Sequence, residues 1–313
     1  MDSERNVPGG ARKKRLIIGT AVLLALAFIV LIGSFMLLAA FLPNLTGKCV
    51  AVVDINMPLT VEGQPMSLFE TGYPGSAQLA NTIDTLNKRE DVGAVLFVFN
   101  SGGGSVVATH EVYDAVKKVE KPKVSYFREV AASGAYYIAT GTDYIVSDPD
   151  ALTGSIGVVA TVISMEGLFE KLGINATSVV SGAYKDMGSP YRNMTAEEYT
   201  IMKSVVDEIF EEFKTVIIQN RGERLNRARF EEVIDGRIMT GRQALEVGLV
   251  DEVGSKDDAL MKAAALGGIE AESPEDIKIC YVETVAQQGG LFGVESLFGS
   301  LGERFQQASL RFQ

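Results

Sequence analysis

The chain has one histidine and two cysteines in 313 residues, and basic side chains are scarce beside acidic ones. Each scarcity closes off a kind of chemistry. A Ser-His-Asp hydrolase would have to be built on His110 alone. No Cys/His cluster exists to hold a metal, and no sequence feature calls for a cofactor. Cys49 and Cys280 read as two small buried apolar residues, since sequence alone does not place them side by side. A domain of this size can bury a large core without disulfide staples. The net charge of −11 argues against nucleic acid as a partner. Between residues 48 and 282 no linker is long enough to separate one domain from another.

What is present begins with a basic tail. Residues 1–15 carry Arg5, Arg12, Lys13, Lys14 and Arg15 against Asp2 and Glu4, and an acidic body follows. From Leu16 to Leu42 there is no charged residue. As a helix these 27 residues would be about 40 Å long, against a hydrocarbon core of about 30 Å, so residues 16–42 read as a transmembrane anchor. A cleaved secretory signal would have a shorter apolar stretch. Basic residues stay on the cytoplasmic side, which puts residues 48–313 on the extracytoplasmic side of a single-pass membrane protein.

Beyond the anchor, strand and helix patterns alternate. Apolar runs at Cys49–Ile55, Gly93–Phe99 and Lys123–Phe127 predict strands, as do Tyr144–Val146, Ile156–Ile163 and Ala176–Val180. Helices are predicted from Ser76 to about Lys88, from about Ser105 to Val119, over Met165–Leu172, and from Thr195 to about Arg221. Thr195 and Glu198 form a capping-box signature at the start of the last. Repeated strand-then-helix units imply an α/β fold with both sheet faces covered. The segment 283–313 reads as a flexible C-terminal tail.

Two short segments suit acyl chemistry: Ala131-Ala132-Ser133-Gly134-Ala135-Tyr136-Tyr137 and Ser181-Gly182-Ala183-Tyr184-Lys185-Asp186-Met187-Gly188-Ser189-Pro190. A serine activated by a lysine needs no histidine. Ser133 lies among small residues near a predicted helix start, with the Gly134 N–H next door; the alternative is a serine packed inside a small-residue helix. Lys185 could sit in an enclosed loop, where burial lowers its pKa and frees a neutral amine; the alternative is an exposed lysine paired with Asp186. The run Asn100-Ser101-Gly102-Gly103-Gly104 ends a buried strand and exposes backbone N–H groups able to hold an oxyanion, or is simply a tight turn. His110 reads as a helix-surface or packing residue.

In combination these segments resemble the signal peptide peptidase A family, membrane-anchored serine-lysine peptidases, in its short single-repeat form. The resemblance covers most of residues 49–282. It is carried by the strand and glycine turn Gly93–Gly104, by Ala132–Tyr137, by Thr153-Gly154-Ser155-Ile156-Gly157-Val158, and by Gly182–Asp186 with Ser189-Pro190-Tyr191-Arg192. Thr240–Ala244 and Gly248–Asp251 match a marker of the wider crotonase-like clan. Two positions depart from the pattern: Gly102 stands where the family usually has proline, and Ala135 replaces a frequent glycine.

The resemblance implies a crotonase/Clp-protease-like α/β fold of repeated ββα units behind one transmembrane helix. It also implies a serine endopeptidase acting on released signal peptides and other apolar peptides. Ser133 would be the nucleophile, Lys185 the general base and Ser155 the residue orienting it, with the N–H groups of Gly103 and Gly134 as the oxyanion hole. A single repeat implies a homo-oligomeric dome or ring, an octamer, with serine and lysine supplied by neighbouring subunits. Such a dome would make the chain's own tail a target for self-processing. The competing readings are a clan relative cutting one membrane-protein partner, an acyl-CoA-processing crotonase that would not need Lys185, and a non-catalytic scaffold.

Overall fold

The computed structural model describes residues 23, 24, 26–34, 47–65, 72–282 and 284. The chain divides into two units, Met1–Gly47 and Lys48–Gln313. In the first, residues 26–34 are helical, and Leu26, Phe28, Ile29, Val30 and Leu31 are exposed. Among the described residues no helix is long and apolar enough to cross a membrane. Residues 23 and 24 are helical as well; the other residues of the 16–42 segment, the basic tail, and the C-terminal segment save residue 284 lie outside the described residues.

The second unit is built on a predominantly parallel sheet. Its strands are β1 (Cys49–Ile55), β2 (Val92–Ser101), β3 (Lys123–Ala132), β4 (Tyr144–Ser147), β5 (Leu152–Gly154), β6 (Ile238–Thr240), β7 (Glu252–Val253) and β8 (Ile279–Val282). The order is β6-β5-β3-β2-β1-β8, with β4 joined to β3 and β7; only β5–β6 is antiparallel. The helices are α1 (Ser76–Asp84), α2 (Val106–Lys118), α3 (Gly134–Ala139), α4 (Glu166–Leu172), α5 (Ala196–Arg221), α6 (Arg227–Val233), α7 (Gly241–Val247) and α8 (Lys256–Leu266). The mixed α/β expectation holds.

Strand periodicity sorts the core into two layers. Ala51, Val53 and Ile55 of β1 join Val95, Phe97 and Phe99 of β2 on the face covered by α1, α2 and α3. Val50 and Val52 join Ala94, Leu96 and Val98 on the opposite face, under Ala259, Leu260, Ala263 and Ala264 of α8. A sheet buried on both faces needs apolar residues at successive positions, hence the unbroken run of β2.

Three expectations are corrected. Ile156–Ile163 and Ala176–Val180 are not strands; their β-branched residues suit a sheet, but no strand among the described residues pairs with them. From residue 159 to 185 every side chain is exposed except Glu166 and Phe169, which are half-buried. Cys49 and Cys280 are not separate apolar residues but a disulfide. The parallel pairing of β1 with β8 sets Ala51 opposite Cys280 and brings the two cysteine Cα atoms within 5.9 Å, an ordinary span for the bond.

Candidate active site

The site forms where β2 and β3 end. After β2 the chain turns through Gly102–Gly104, and the loop residue Leu59 clips this turn. Its N–H donates to Gly103 O at 3.0 Å, and its carbonyl accepts the Ser105 N–H at 2.8 Å. Ser101 Oγ donates to Met57 O at 2.6 Å. Ser105 then caps α2, accepting the Ala108 N–H at 3.2 Å.

After β3 the chain enters α3 through Ser133, held at φ 55°, ψ −125°. A non-glycine residue there carries about 1–3 kcal/mol of strain. Hydrogen bonds hold it in place: the Ser133 N–H donates to Gly154 O at 2.9 Å, and Ser133 O accepts the Tyr137 N–H at 3.0 Å. Serine at a helix start usually spends its hydroxyl on capping. Ser133 makes no capping bond, so Oγ is left for chemistry. A strained serine between strand and helix is how hydrolases raise a nucleophile out of the backbone.

The two glycines are placed as an oxyanion site requires. Gly134 is the first residue of α3, where N–H groups have no intrahelical acceptor. Gly103, at φ 89°, approaches so closely that a Cβ would lie 2.6 Å from Gly134 N and 3.0 Å from Ser133 Cβ. The Gly103 N–H is already engaged, donating to Ser101 Oγ at 3.2 Å, so holding an oxyanion means exchanging that partner.

Ser133 opens on two hollows. One, of about 130 Å³, is lined by Val106, Thr109, His110, Tyr137, Ile209 and Phe213 beside Ser133 and Gly134. A closed apolar cavity of about 150 Å³ takes a benzene molecule, so this one matches a mid-sized apolar side chain. The other, about 460 Å³, joins Ser133 to Ser155, Gly157, Phe210 and Gly236. Ser155 follows β5 at φ 50°, its N–H donating to Arg237 O at 2.8 Å. The structure thus brings together Ser133, Ser155, Gly103 and Gly134.

It does not bring Lys185 to them. Lys185 is exposed within a series of turns, its N–H donating to Gly182 O at 3.1 Å, and it lines neither hollow beside Ser133. The enclosed loop expected for this lysine is absent from the single chain, because residues 159–185 have almost no core to pack on. Nor is Lys185 paired with Asp186. That carboxylate is taken by Arg192, whose Nε and Nη2 donate to it at 3.0 and 2.7 Å.

Of the two readings of His110, helix surface or packing, the structure shows packing. The residue lines the smaller hollow, its ring 5.3 Å from that of Tyr137. Its Nε2 lies 3.3 Å from Glu212 Oε1, to which the Tyr137 hydroxyl donates at 3.2 Å. Burial, then the neighbouring Glu212 charge and this hydrogen bond, push the Tyr137 phenol above its ordinary range. Val106, Thr109 and His110 share one face of α2 at i, i+3 and i+4, a spacing visible in the sequence. Leu59 and Phe213 carry no comparable signal.

A strained serine beside a glycine turn, over a hollow of mixed apolar and polar lining, fits the class of serine hydrolases with backbone oxyanion donors. Comparison with known proteins is narrower. The profile of peptidase family S49 matches residues 115–270. A candidate protease of Methanocaldococcus jannaschii is 37% identical over 221 residues, 70% of this chain and 68% of that protein. A candidate signal peptide peptidase SppA of Enterococcus faecium is 33% identical over 218 residues, 69% of this chain and 62% of its own length. A chloroplastic serine protease SPPA of Arabidopsis thaliana is 30% identical over 234 residues, 72% of this chain but only 34% of that longer protein. The chain belongs to peptidase family S49, the signal peptide peptidase family, and is a protease.

Proposed function

We propose that this protease is a membrane-anchored serine endopeptidase that degrades released signal peptides and other apolar peptides. Ser133 is its nucleophile and Lys185, from a neighbouring copy, its general base. The observation that carries the reading is Ser133 itself: held at positive φ, spared from capping, and set against Gly103 and Gly134 over a hollow whose apolar lining comes from Val106, Tyr137, Ile209 and Phe213.

Neutral Lys185 Nζ takes the proton from Ser133 Oγ as Oγ attacks the scissile carbonyl carbon. The oxyanion is met by the N–H groups of Gly134 and Gly103. The lysine ammonium protonates the leaving amine, and water, deprotonated by the same amine, hydrolyses the acyl-enzyme. Ser155 orients the lysine. A positioned base contributes about 10²–10⁴-fold in rate. Because the amine must be neutral, the rate rises with pH through the neutral to alkaline range.

Two observations support assembly and placement. Val159, Ile163, Leu172 and Val179 are 85%, 69%, 63% and 97% exposed on the segment that carries Lys185, more apolar surface than a lone soluble chain usually shows. A second copy laid against this segment would enclose Lys185 and lower its pKa, within a dome or ring of identical subunits. The Cys49–Cys280 disulfide fits an oxidising, extracytoplasmic compartment, with the 16–42 segment as anchor.

The test is complementation. Ser133→Ala and Lys185→Ala are each inactive on an apolar reporter peptide, and subunit exchange between them restores some of the activity. No recovery after verified exchange places both residues of the dyad in one chain.

A further inference from the structure

Arg192 lies between two carboxylates. Its Nε and Nη2 donate to Asp186 at 3.0 and 2.7 Å, and its Nη1 donates to Glu198 Oε2 at 2.8 Å. Glu198 is buried at the start of α5, where it also accepts the Thr195 N–H at 2.9 Å. On the other side of Lys185, the Tyr184 hydroxyl donates to Glu197 at 2.5 Å. Both neighbours of Lys185 are therefore tied to the first turn of one long helix. A bidentate guanidinium holds a carboxylate in plane and at fixed distance, which a lysine ammonium cannot do.

We propose that Arg192 is a positioning residue of the proteolytic site, which holds the Lys185 turn against α5 and keeps the Asp186 carboxylate off the Lys185 amine. The inference rests on Lys185 being the base. An adjacent unpaired carboxylate favours the ammonium and withholds the neutral amine the reaction needs. Arg192 neutralises Asp186 in place. Among the described residues, no ion pair joins Lys185 to a carboxylate. The other charged groups around the turn are also engaged. Glu197 accepts from Tyr184, Glu198 from Arg192 and Thr195, and Glu166 of α4 from the Asn193 N–H. On the Ser133 side, the cleft carboxylates Asp207 and Asp235 pair with Lys203 and Arg237, each at 2.6 Å. Asp186 and Glu198 on one side of the proposed dyad, and Asp207 and Asp235 on the other, are thus occupied by cations other than its lysine.

The test reads the base through the serine. The full-length protein is labelled at Ser133 with a fluorophosphonate probe across about pH 6–10, a range reaching toward the ordinary lysine pKa. Arg192→Gln moves the alkaline limb of the labelling rate upward by about one pH unit, because the freed Asp186 pairs with Lys185. Arg192→Gln with Asp186→Asn returns the limb to within about 0.3 unit of the parent, and Arg192→Lys, which keeps a cation in place, shifts it less than Arg192→Gln. A limb that Arg192→Gln leaves unmoved, or that stays displaced in the double variant, overturns the proposal. Should Arg192→Gln fail to assemble, an Arg192→Lys limb displaced by a full unit overturns it instead. Lys185→Ala is measured beside these: parent-like labelling at every pH removes the base assignment and this inference with it. Loss of labelling there with an unmoved Arg192→Gln limb removes the inference alone.

Discussion

At the scale of single residues, two adjacent glycines make opposite demands. A Cβ on Gly102 meets nothing within 4 Å, whereas one on Gly103 collides with the backbone of Gly134. Gly102→Ala is expected to stabilise the fold by about 0.4–1 kcal/mol through the unfolded chain, with activity retained; thermal melting and peptidase assay check this. Gly103→Ala keeps its N–H but forces the turn away from Gly134, so the donor is displaced; kcat should fall about 10²–10³-fold, as when one oxyanion donor is lost, with a far smaller change in KM. The departure at Gly102, where the family usually has proline, therefore lies where the site has room. Ala135, the other departure, is fully buried in α3 behind the nucleophile.

At the scale of elements, α5 is anchored at both ends, and the two anchors respond differently to acid. At its start, hydrogen bonds from Arg192, then from the Thr195 backbone, hold the Glu198 carboxyl down to about 2 from an ordinary 4.5. A carboxyl whose folded pKa is depressed supports the fold fully above its unfolded value and withdraws that support as pH falls toward the folded one. Amides 195–199 should therefore lose exchange protection as pH drops from about 4.5 toward 2, and Glu198→Gln should abolish this dependence. At its far end, Arg221 is buried, donating from Nη1 and Nη2 to Asp251 at 2.9 and 2.8 Å and from Nε to Gly248 O at 2.9 Å. Burial, the largest single influence, lowers the guanidinium pKa; the Asp251 hydrogen bonds together with the electrostatics of Tyr136, Asp251 and Tyr144 outweigh it and it ends raised. Arg221→Ala leaves Asp251 buried with its main partner gone, and should cost about 3–5 kcal/mol in urea denaturation.

At the scale of the whole molecule, one covalent bond joins positions 231 residues apart in the chain, tying edge strand β8 to β1. Replacing Cys49 and Cys280 by alanine should lower unfolding stability by about 2–4 kcal/mol while Ser133 labelling persists, because the bond lies in the sheet away from the glycine turn. Fluorophosphonate labelling and denaturation of the same sample separate the two effects. The apolar segment 159–185 belongs to this scale too. Its valines and isoleucines read as strands because β-branched residues suit sheets, yet a strand exists only where another pairs with it. No residue pattern within the segment could reveal that the sheet ends at β5 and β6.

The sequence by itself determined what depends on neighbours along the chain. The buried run of β2, the capping box of α5 and the small-residue setting of Ser133 follow from periodicity and local hydrogen bonding, and each is found where the pattern puts it. What the tertiary structure decided are encounters between distant segments. β8 brings Cys280 to Cys49, Leu59 clips the glycine turn, α2 and α5 carry His110 and Phe213 to the serine's hollow, and Arg192 takes Asp186 from Lys185. Such contacts depend on sheet order and strand register, and these are settled by packing summed over the whole chain, which no local stretch of sequence contains.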